Sequence, residues 1–287
     1  MAPGNSRKVK FTMIAYYIIG IFSLFVLGCG GLIYFNQEKL IFFPEALPAD
    51  YRYSFPGNFE EIELEIPSKE KIYGIYFKSN LKKSKGVILY FHGNAGSLRT
   101  WGGISEDFVP RGWDILITDY RGYGKSKARL SEEGMYEDAL LWYHYLRDKK
   151  RYSVESIVIF GRSIGTGVAV QLATKCSRSP VLLETPFTSM ADLAKQFYPI
   201  LPSWFLSYKF DSASKIKEIS STLHVFHGTH DEIVPFEQGK RLFEIARSAG
   251  VNAEFHPIRG GTHNDLSFFP EYQKGLESVL AKLSIHK

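Results

Sequence analysis

Ser163 lies in the run SIVIFGRSIGTG, residues 156 to 167, between Gly161 and Gly165 and directly after the apolar stretch Ile157 to Phe160. A serine hydroxyl is a weak nucleophile unless it is exposed and has a base within hydrogen-bonding reach. The pattern G-x-S-x-G meets the first condition: a tight strand-to-helix turn pushes the serine outward, and its glycines lack the Cβ atoms that would clash there. Other chemistry fits the same letters. GRSIGTG also satisfies G-x-x-x-G-x-G, a turn that cradles a dinucleotide pyrophosphate at a helix N-terminus. A glycine-rich helix start with a capping serine is the reading that carries no chemistry.

The order of motifs along the chain separates these readings. A dehydrogenase of the short-chain type places its glycine turn after the first strand and its Tyr-x-x-x-Lys pair later. Here several strand patterns come first, and the pairs Tyr123/Lys127 and Tyr145/Lys149 lie upstream. A nucleophile elbow instead requires Ser, then Asp or Glu, then His. Asp231, in FHGTHDEIVP, follows one strand pattern, and His263, in RGGTHND, sits in a glycine-rich loop after the last. His263 is the candidate base for Ser163, with Asp231 fixing the imidazole tautomer and stabilising its charged form.

Two backbone donors complete the set. The Ile164 N–H sits at the helix start. Upstream, Gly93 and Gly96 of FHGNAG allow a sharp turn that presents the Asn94 N–H. Oxyanion donors of this kind are each worth about 2.7–4 kcal/mol in the transition state. Glu184, ending the strand pattern after the nucleophile helix, competes with Asp231 as the acid, and Glu232 is read as a solvated neighbour. His92, His227 and His230 are read as structural, and His144, His224 and His256 as ordinary helix or strand residues. Asp119, Arg121, Gly122 and Gly124 are read as a structural turn with an ion pair.

These side chains are far apart in sequence, so a sheet must gather them. EEIELEIP and KIYGIYF alternate apolar and polar residues, as half-buried antiparallel strands do. GVILYF (86–91), WDILITDY (113–120), SIVIF (156–160), PVLLE (180–184) and TLHVFHG (222–228) are more continuously apolar, as parallel strands covered on both faces must be. VNAEFHPI (251–258) is the last strand. Helical stretches fall at 131–149, 164–176, 236–248 and 270–284. The alternation predicts an α/β fold with a mostly parallel sheet flanked by helices. Residues 187–220, aromatic and broken by prolines, read as a small cap inserted between two strands. In it Phe197, Tyr198, Trp204, Phe205 and Tyr208 are candidates for an acyl pocket, for lipid contact, or for plain packing against the sheet.

Taken in order, FHGNAG, DYRGYGKS, GRSIGTG, HGTHDEIVP and GGTHND resemble the α/β-hydrolase superfamily of serine hydrolases. More narrowly, they resemble its membrane-associated bud-emergence-type branch, related to the α/β-hydrolase-domain depalmitoylases. The resemblance covers roughly residues 36–285. It implies Ser163 as nucleophile, Asp231 as acid, His263 as base, and Asn94 and Ile164 as oxyanion donors. Those depalmitoylases carry an N-terminal cysteine cluster for lipid attachment, whereas this chain has an apolar span. The expected activity is hydrolysis of an ester or thioester, with long-chain acyl groups among the candidate substrates. A serine peptidase of the same fold and a non-catalytic binding protein are the alternatives.

Composition bounds the remainder. The 287 residues are 45% hydrophobic and 15% aromatic, enough for one large core, and the formal charge is +5. Basic residues are scattered among acids, so no nucleic-acid partner is expected. Neither H-E-x-x-H nor paired C-x-x-C occurs, and neither a metal nor another cofactor is expected. With Cys29 in an apolar segment and Cys176 alone elsewhere, no internal disulfide framework is available. Residues 11–35 hold no charged side chain, which is long enough to cross a hydrocarbon core of about 30 Å. The reading is a basic tail at 1–10, a membrane anchor at 11–35 and a catalytic domain at 36–287. A cleaved signal peptide, or a lipoprotein site at Cys29, competes with the anchor. Arg7, Lys8 and Lys10 precede the span, while Glu38, Lys39 and Glu45 follow it. That asymmetry points to a single-pass protein with a cytoplasmic N-terminus.

Overall fold

Apolar runs too continuous to face water on either side become the middle of an eight-stranded sheet in the computed structural model, which describes residues 4–285. The chain begins with helix α1 (Gly4–Phe35) and a short α2 (Gln37–Ile41). Strand β1 (Phe43–Pro44) is followed by the hairpin β2 (Asn58–Glu65) and β3 (Lys71–Lys78). Next come β4 (Val87–Phe91), β5 (Ala95–Gly96), α3 (Leu98–Trp101) and β6 (Asp114–Thr118). Then α4 (Glu132–His144), β7 (Ile157–Arg162), α5 (Gly165–Ala173) and β8 (Val181–Glu184) alternate. The cap holds α6 (Met190–Phe197) and α7 (Ser212–Lys215), and β9 (Leu223–Gly228), α8 (Phe236–Ser248), β10 (Ala253–Ile258) and α9 (Pro270–Ile285) end the chain.

The sheet order is β10-β9-β8-β7-β4-β6-β3-β2, with β2/β3 and β3/β6 antiparallel and every other pair parallel. This is an α/β-hydrolase fold. β4, β6 and β7 lie at its centre and are buried on both faces, which is why their sequences do not alternate. One face packs α4, α5 and α8 around Trp142, Val168 and Leu242, and the other packs α9 around Phe226, Tyr272 and Leu276. The expected helix at 131–149 is α4 plus a wider turn at Tyr145–Lys149; Ser131 caps it by accepting from the Gly134 N–H.

Helix α1 is continuous from Gly4 through Arg7, Lys8 and Lys10 into the apolar segment. Its stretch Tyr16–Phe35 is long and apolar enough to cross a membrane. The Cys29 side chain and residues 1–3 lie outside what the structure describes. The proline-spaced segment after α1 is more than an extended lead-in. Phe42 and Leu47 are buried, and β1 pairs in parallel with β5, the strand that follows Asn94.

Candidate active site

β7 delivers Ser163 to the carboxyl edge of the sheet. The chain reverses within two residues, forcing Ser163 to φ +52°, a left-handed conformation that a non-glycine residue rarely holds. Its N–H is tied to the Glu184 carbonyl at 2.9 Å. The flanking glycines are required by close approach. A Cβ on Gly161 would lie 2.5 Å from the Gly165 carbonyl oxygen, and one on Gly165 would lie 2.2 Å from the Phe91 carbonyl oxygen. The helix start is thus pressed onto the end of β4 with no room for a side chain.

The two neighbouring strands bring the partners. Asp231 follows β9 and His263 follows β10, and adjacency of these strands places their loops side by side. His263 Nδ1 is 2.8 Å from Asp231 Oδ2, and His263 Nε2 is 3.0 Å from Ser163 Oγ. An ionised carboxylate only accepts, so Nδ1 carries the proton and Nε2 is left to accept from the serine hydroxyl. Asp231 Oδ1 accepts from the Ile233 and Val234 N–H groups at 2.9 and 2.8 Å. Burial alone would raise the Asp231 pKa. Hydrogen bonds from His227 and His263, with the Val234 N–H, outweigh that and hold it far below the ordinary carboxylate range. Asp265 accepts the Thr262 N–H at 2.7 Å, steadying the loop that carries His263.

The Gly93–Asn94 turn closes the other side. A Cβ built on Gly93 would lie 3.8 Å from Ser163 Cβ, so this backbone passes directly beside the serine. Among the described residues, neither the Asn94 nor the Ile164 N–H is taken by a backbone or side-chain acceptor. The turn is pinned from two directions. Tyr120 donates to the His92 carbonyl at 2.6 Å, Tyr123 donates to the Asn94 carbonyl at 2.5 Å, and buried Asp119 accepts the Leu98 N–H at 3.0 Å. From the side of α2 and β1, the Asn94 side-chain amide donates to the Ile41 carbonyl, and the Glu45 N–H reaches the Gly96 carbonyl at 2.9 Å. The DYRGYG turn therefore holds the Gly93–Asn94 turn beside Ser163. Arg121 does not pair with Asp119; it forms a two-pronged ion pair with Asp138 of α4.

Glu184 does not approach His263. Its carboxylate meets Arg162 Nε at 3.1 Å and the Tyr272 hydroxyl at 2.5 Å. Arg162 in turn reaches the His263 carbonyl and Asn264 Oδ1 at 3.2 and 3.3 Å and lies over the Trp101 ring. The sequence reading missed this arginine. Its one signal was its place beside the serine, at the first variable position of G-x-S-x-G. His227 is structural, donating from Nε2 to the Val234 carbonyl at 2.8 Å. His224 and His256, read as ordinary strand residues, come together with Glu254 away from this site.

Ser163, Ile164, Asn94 and His263 open into a cavity of about 1380 Å³ with mostly apolar walls. Its walls include Phe25 and Ile33 of α1, Leu40 and Ile41 of α2, and Phe197 and Ile200 of the cap. The cap aromatics divide: Phe197, Tyr198 and Phe205 line the cavity, Trp204 is 79% exposed, and Tyr208 is buried against Phe42 and Phe210. Gln37, itself buried, bonds the Phe205 carbonyl and the Ser207 N–H, fastening α2 to the cap. A hydroxyl facing the cavity, an oriented imidazole, free amide donors and apolar walls are the parts that acyl transfer needs.

Residues 86–216 match the α/β-hydrolase fold family. Protein bem46 of Schizosaccharomyces pombe is 29% identical over 99% of this chain and 98% of its own length. Lysophosphatidylserine lipase ABHD12 of Danio rerio is 34% identical over 64% of this chain, which spans only 54% of that protein. The esterase Pf2001 of Pyrococcus furiosus superposes with a TM-score of 0.67 at 16% identity, over 85% of this chain and 97% of its own. A puromycin-hydrolyzing peptidase of Mycobacterium tuberculosis gives 0.65 at 16% identity, over 79% of this chain and 39% of its own. At such low identity these two speak for the fold alone.

Proposed function

We propose that this member of the α/β-hydrolase superfamily is a membrane-anchored serine hydrolase that cleaves a long-chain acyl ester or thioester. The observation that carries the reading is the unbroken hydrogen-bonded chain Asp231–His263–Ser163, ending at a hydroxyl inside a large apolar cavity. His263 Nε2 takes the Ser163 proton as Oγ attacks the acyl carbonyl. The Asn94 and Ile164 N–H groups receive the oxyanion, and Asp231 stabilises the imidazolium. The tetrahedral intermediate collapses with His263 protonating the departing alcohol or thiol. Water, deprotonated by the same imidazole, then attacks the acyl-enzyme; the fatty acid leaves and Ser163 recovers its proton.

The cavity favours an acyl substrate over a peptide. Drug-sized ligand pockets span roughly 300–1,000 Å³, and this one is larger, apolar, and walled on one side by the membrane helix. The lipase name of a 34% identical relative supports the same class. Ile200 (95% exposed), Trp204 and Tyr198 project from the cap beside that wall. They rest on the bilayer surface, where an aromatic ring with one polar edge is best placed. Helix α1 crosses the bilayer once with its basic N-terminal end in the cytoplasm, putting the catalytic domain on the opposite side.

The test is labelling of the full-length detergent-solubilised protein by a fluorophosphonate, together with turnover of p-nitrophenyl esters of increasing chain length. Labelling that Ser163→Ala abolishes, and turnover that rises with chain length, are expected. A folded wild-type chain that neither labels nor turns over any ester would overturn the proposal.

A further inference from the structure

Neighbouring strands β9 and β10 run parallel with His224 opposite Glu254, and His256 follows two residues later on the same face. Three potential ligand atoms converge there. His224 Nδ1 is 3.3 Å from His256 Nε2 and 3.6 Å from Glu254 Oε2, and the last two atoms are 3.8 Å apart. An ion held tetrahedrally at zinc's usual bond lengths separates its ligands by about 3.3–3.6 Å. Two of the three separations fall within that range, and the third, 3.8 Å, is slightly beyond it.

We propose that His224, Glu254 and His256 form a binding site for a zinc-class divalent cation, with water completing the coordination sphere. Two imidazoles and one carboxylate are a donor set that zinc takes with water in its fourth position, and one that iron(II) shares. The rings are held in place before any ion arrives: His256 stacks on Phe226 at 4.4 Å with only 13° between planes, and His224 stacks on His256 at 5.5 Å. Glu254 is oriented from its other oxygen, Oε1, by Lys282 of α9 at 3.5 Å. Glu254 is half-exposed, which leaves the outer side of the ion open to solvent.

The placement gives the ion a role. His224 and Glu254 are the second residues of β9 and β10, at the ends away from the reactive loops, and His256 lies two residues further along β10. β10 is the edge strand, held to the sheet on one side only. An ion bridging these strands clips that edge to the rest of the sheet, so its effect is on stability. None of the three residues lines the cavity of Ser163.

The competing explanation is a bare N–H···N hydrogen bond between the two rings. The full-length protein, purified in detergent without a polyhistidine tag, is stripped with a chelator and titrated with Zn²⁺ against a competing chromophoric chelator. One-to-one binding with Kd below about 1 µM, and a higher melting temperature in Zn²⁺, are expected. His256→Gln and Glu254→Gln change partly exposed residues; the first should weaken binding by at least 100-fold and the second by at least 10-fold. Wild-type binding weaker than about 100 µM overturns the proposal. So does tight binding that survives His256→Gln, since the ion would then lie elsewhere, with His263 as the obvious alternative ligand. Circular dichroism of the stripped variants separates lost binding from lost fold.

Discussion

Removing the hydroxyl of Tyr123 isolates the contribution of the tie that holds the oxyanion loop. That hydroxyl donates to the Asn94 carbonyl at 2.5 Å and lies 3.1 Å from Asn94 Oδ1, while the ring is wholly buried. Tyr123→Phe keeps the ring and deletes the bond. One such bond contributes about 0.5–1.5 kcal/mol net. If it holds the Asn94 N–H over Ser163, its loss lowers the held-to-slack ratio by about 2- to 13-fold, since 1.4 kcal/mol is a factor of ten. The catalytic rate constant then falls by at most that factor, well short of the 10²–10³ expected when an oxyanion donor is removed outright. Because the donor acts on developing charge, the loss should appear in kcat with KM nearly constant. Stability should fall in parallel, by about 2–4 °C in Tm for each kcal/mol in a domain of this size. The assay is steady-state hydrolysis of a soluble short-chain ester, with a melting curve on the same sample. A lowered Tm with unchanged kcat, or a change confined to KM, would refute the reasoning that the tyrosine acts through the donor.

Two further outcomes follow from the site and the cap. The depressed pKa of Asp231 links its ionisation to folding: the contribution is complete above the unfolded-state value near 3.9 and is lost as pH falls through the lower folded-state value. Acid unfolding followed by tryptophan fluorescence should therefore show a shallower pH dependence below about pH 4 in Asp231→Asn, and identical slopes would count against the linkage. Trp204→Asp, at a cap residue outside the cavity, should reduce hydrolysis of a long-chain ester embedded in vesicles by about tenfold or more, the cost of placing one charge in apolar surroundings. Hydrolysis of a soluble short-chain ester should stay within twofold. Equal loss on both substrates would mean that the cap variant perturbs the site itself.

What could be read from the letters follows from how locally each feature is determined. The central strands were legible because burial on both faces demands unbroken apolar runs, as in Val87–Phe91 and Ile157–Phe160. The elbow was legible because close backbone approach excludes every residue but glycine at 161 and 165. The spacing of Asp231 and His263 from their strands was legible for a related reason, since loops after adjacent parallel strands share one edge. Contacts between distant polar residues were not. Arg162 and Glu184 are paired only because β7 and β8 are neighbours in a particular register. His224 and the Glu254/His256 pair are separated by about thirty residues, and no local pattern announces that parallel pairing will align them. The two-residue strand Phe43–Pro44 was hidden for the opposite reason: a proline in a short aromatic stretch looks like an irregular linker, yet it pairs with a strand of only two residues.

That short pairing bears on where the chain could be cut away from α1. A cut at Asn36 would free a soluble domain with Ile41, Phe43 and Glu45 still braced against the Gly93–Gly96 turn. A cut ten residues later would remove the brace and leave that turn unsupported on one flank. The first fragment keeps both flanks of the backbone that passes beside Ser163 and the second loses one, so the two positions would leave that turn with different order.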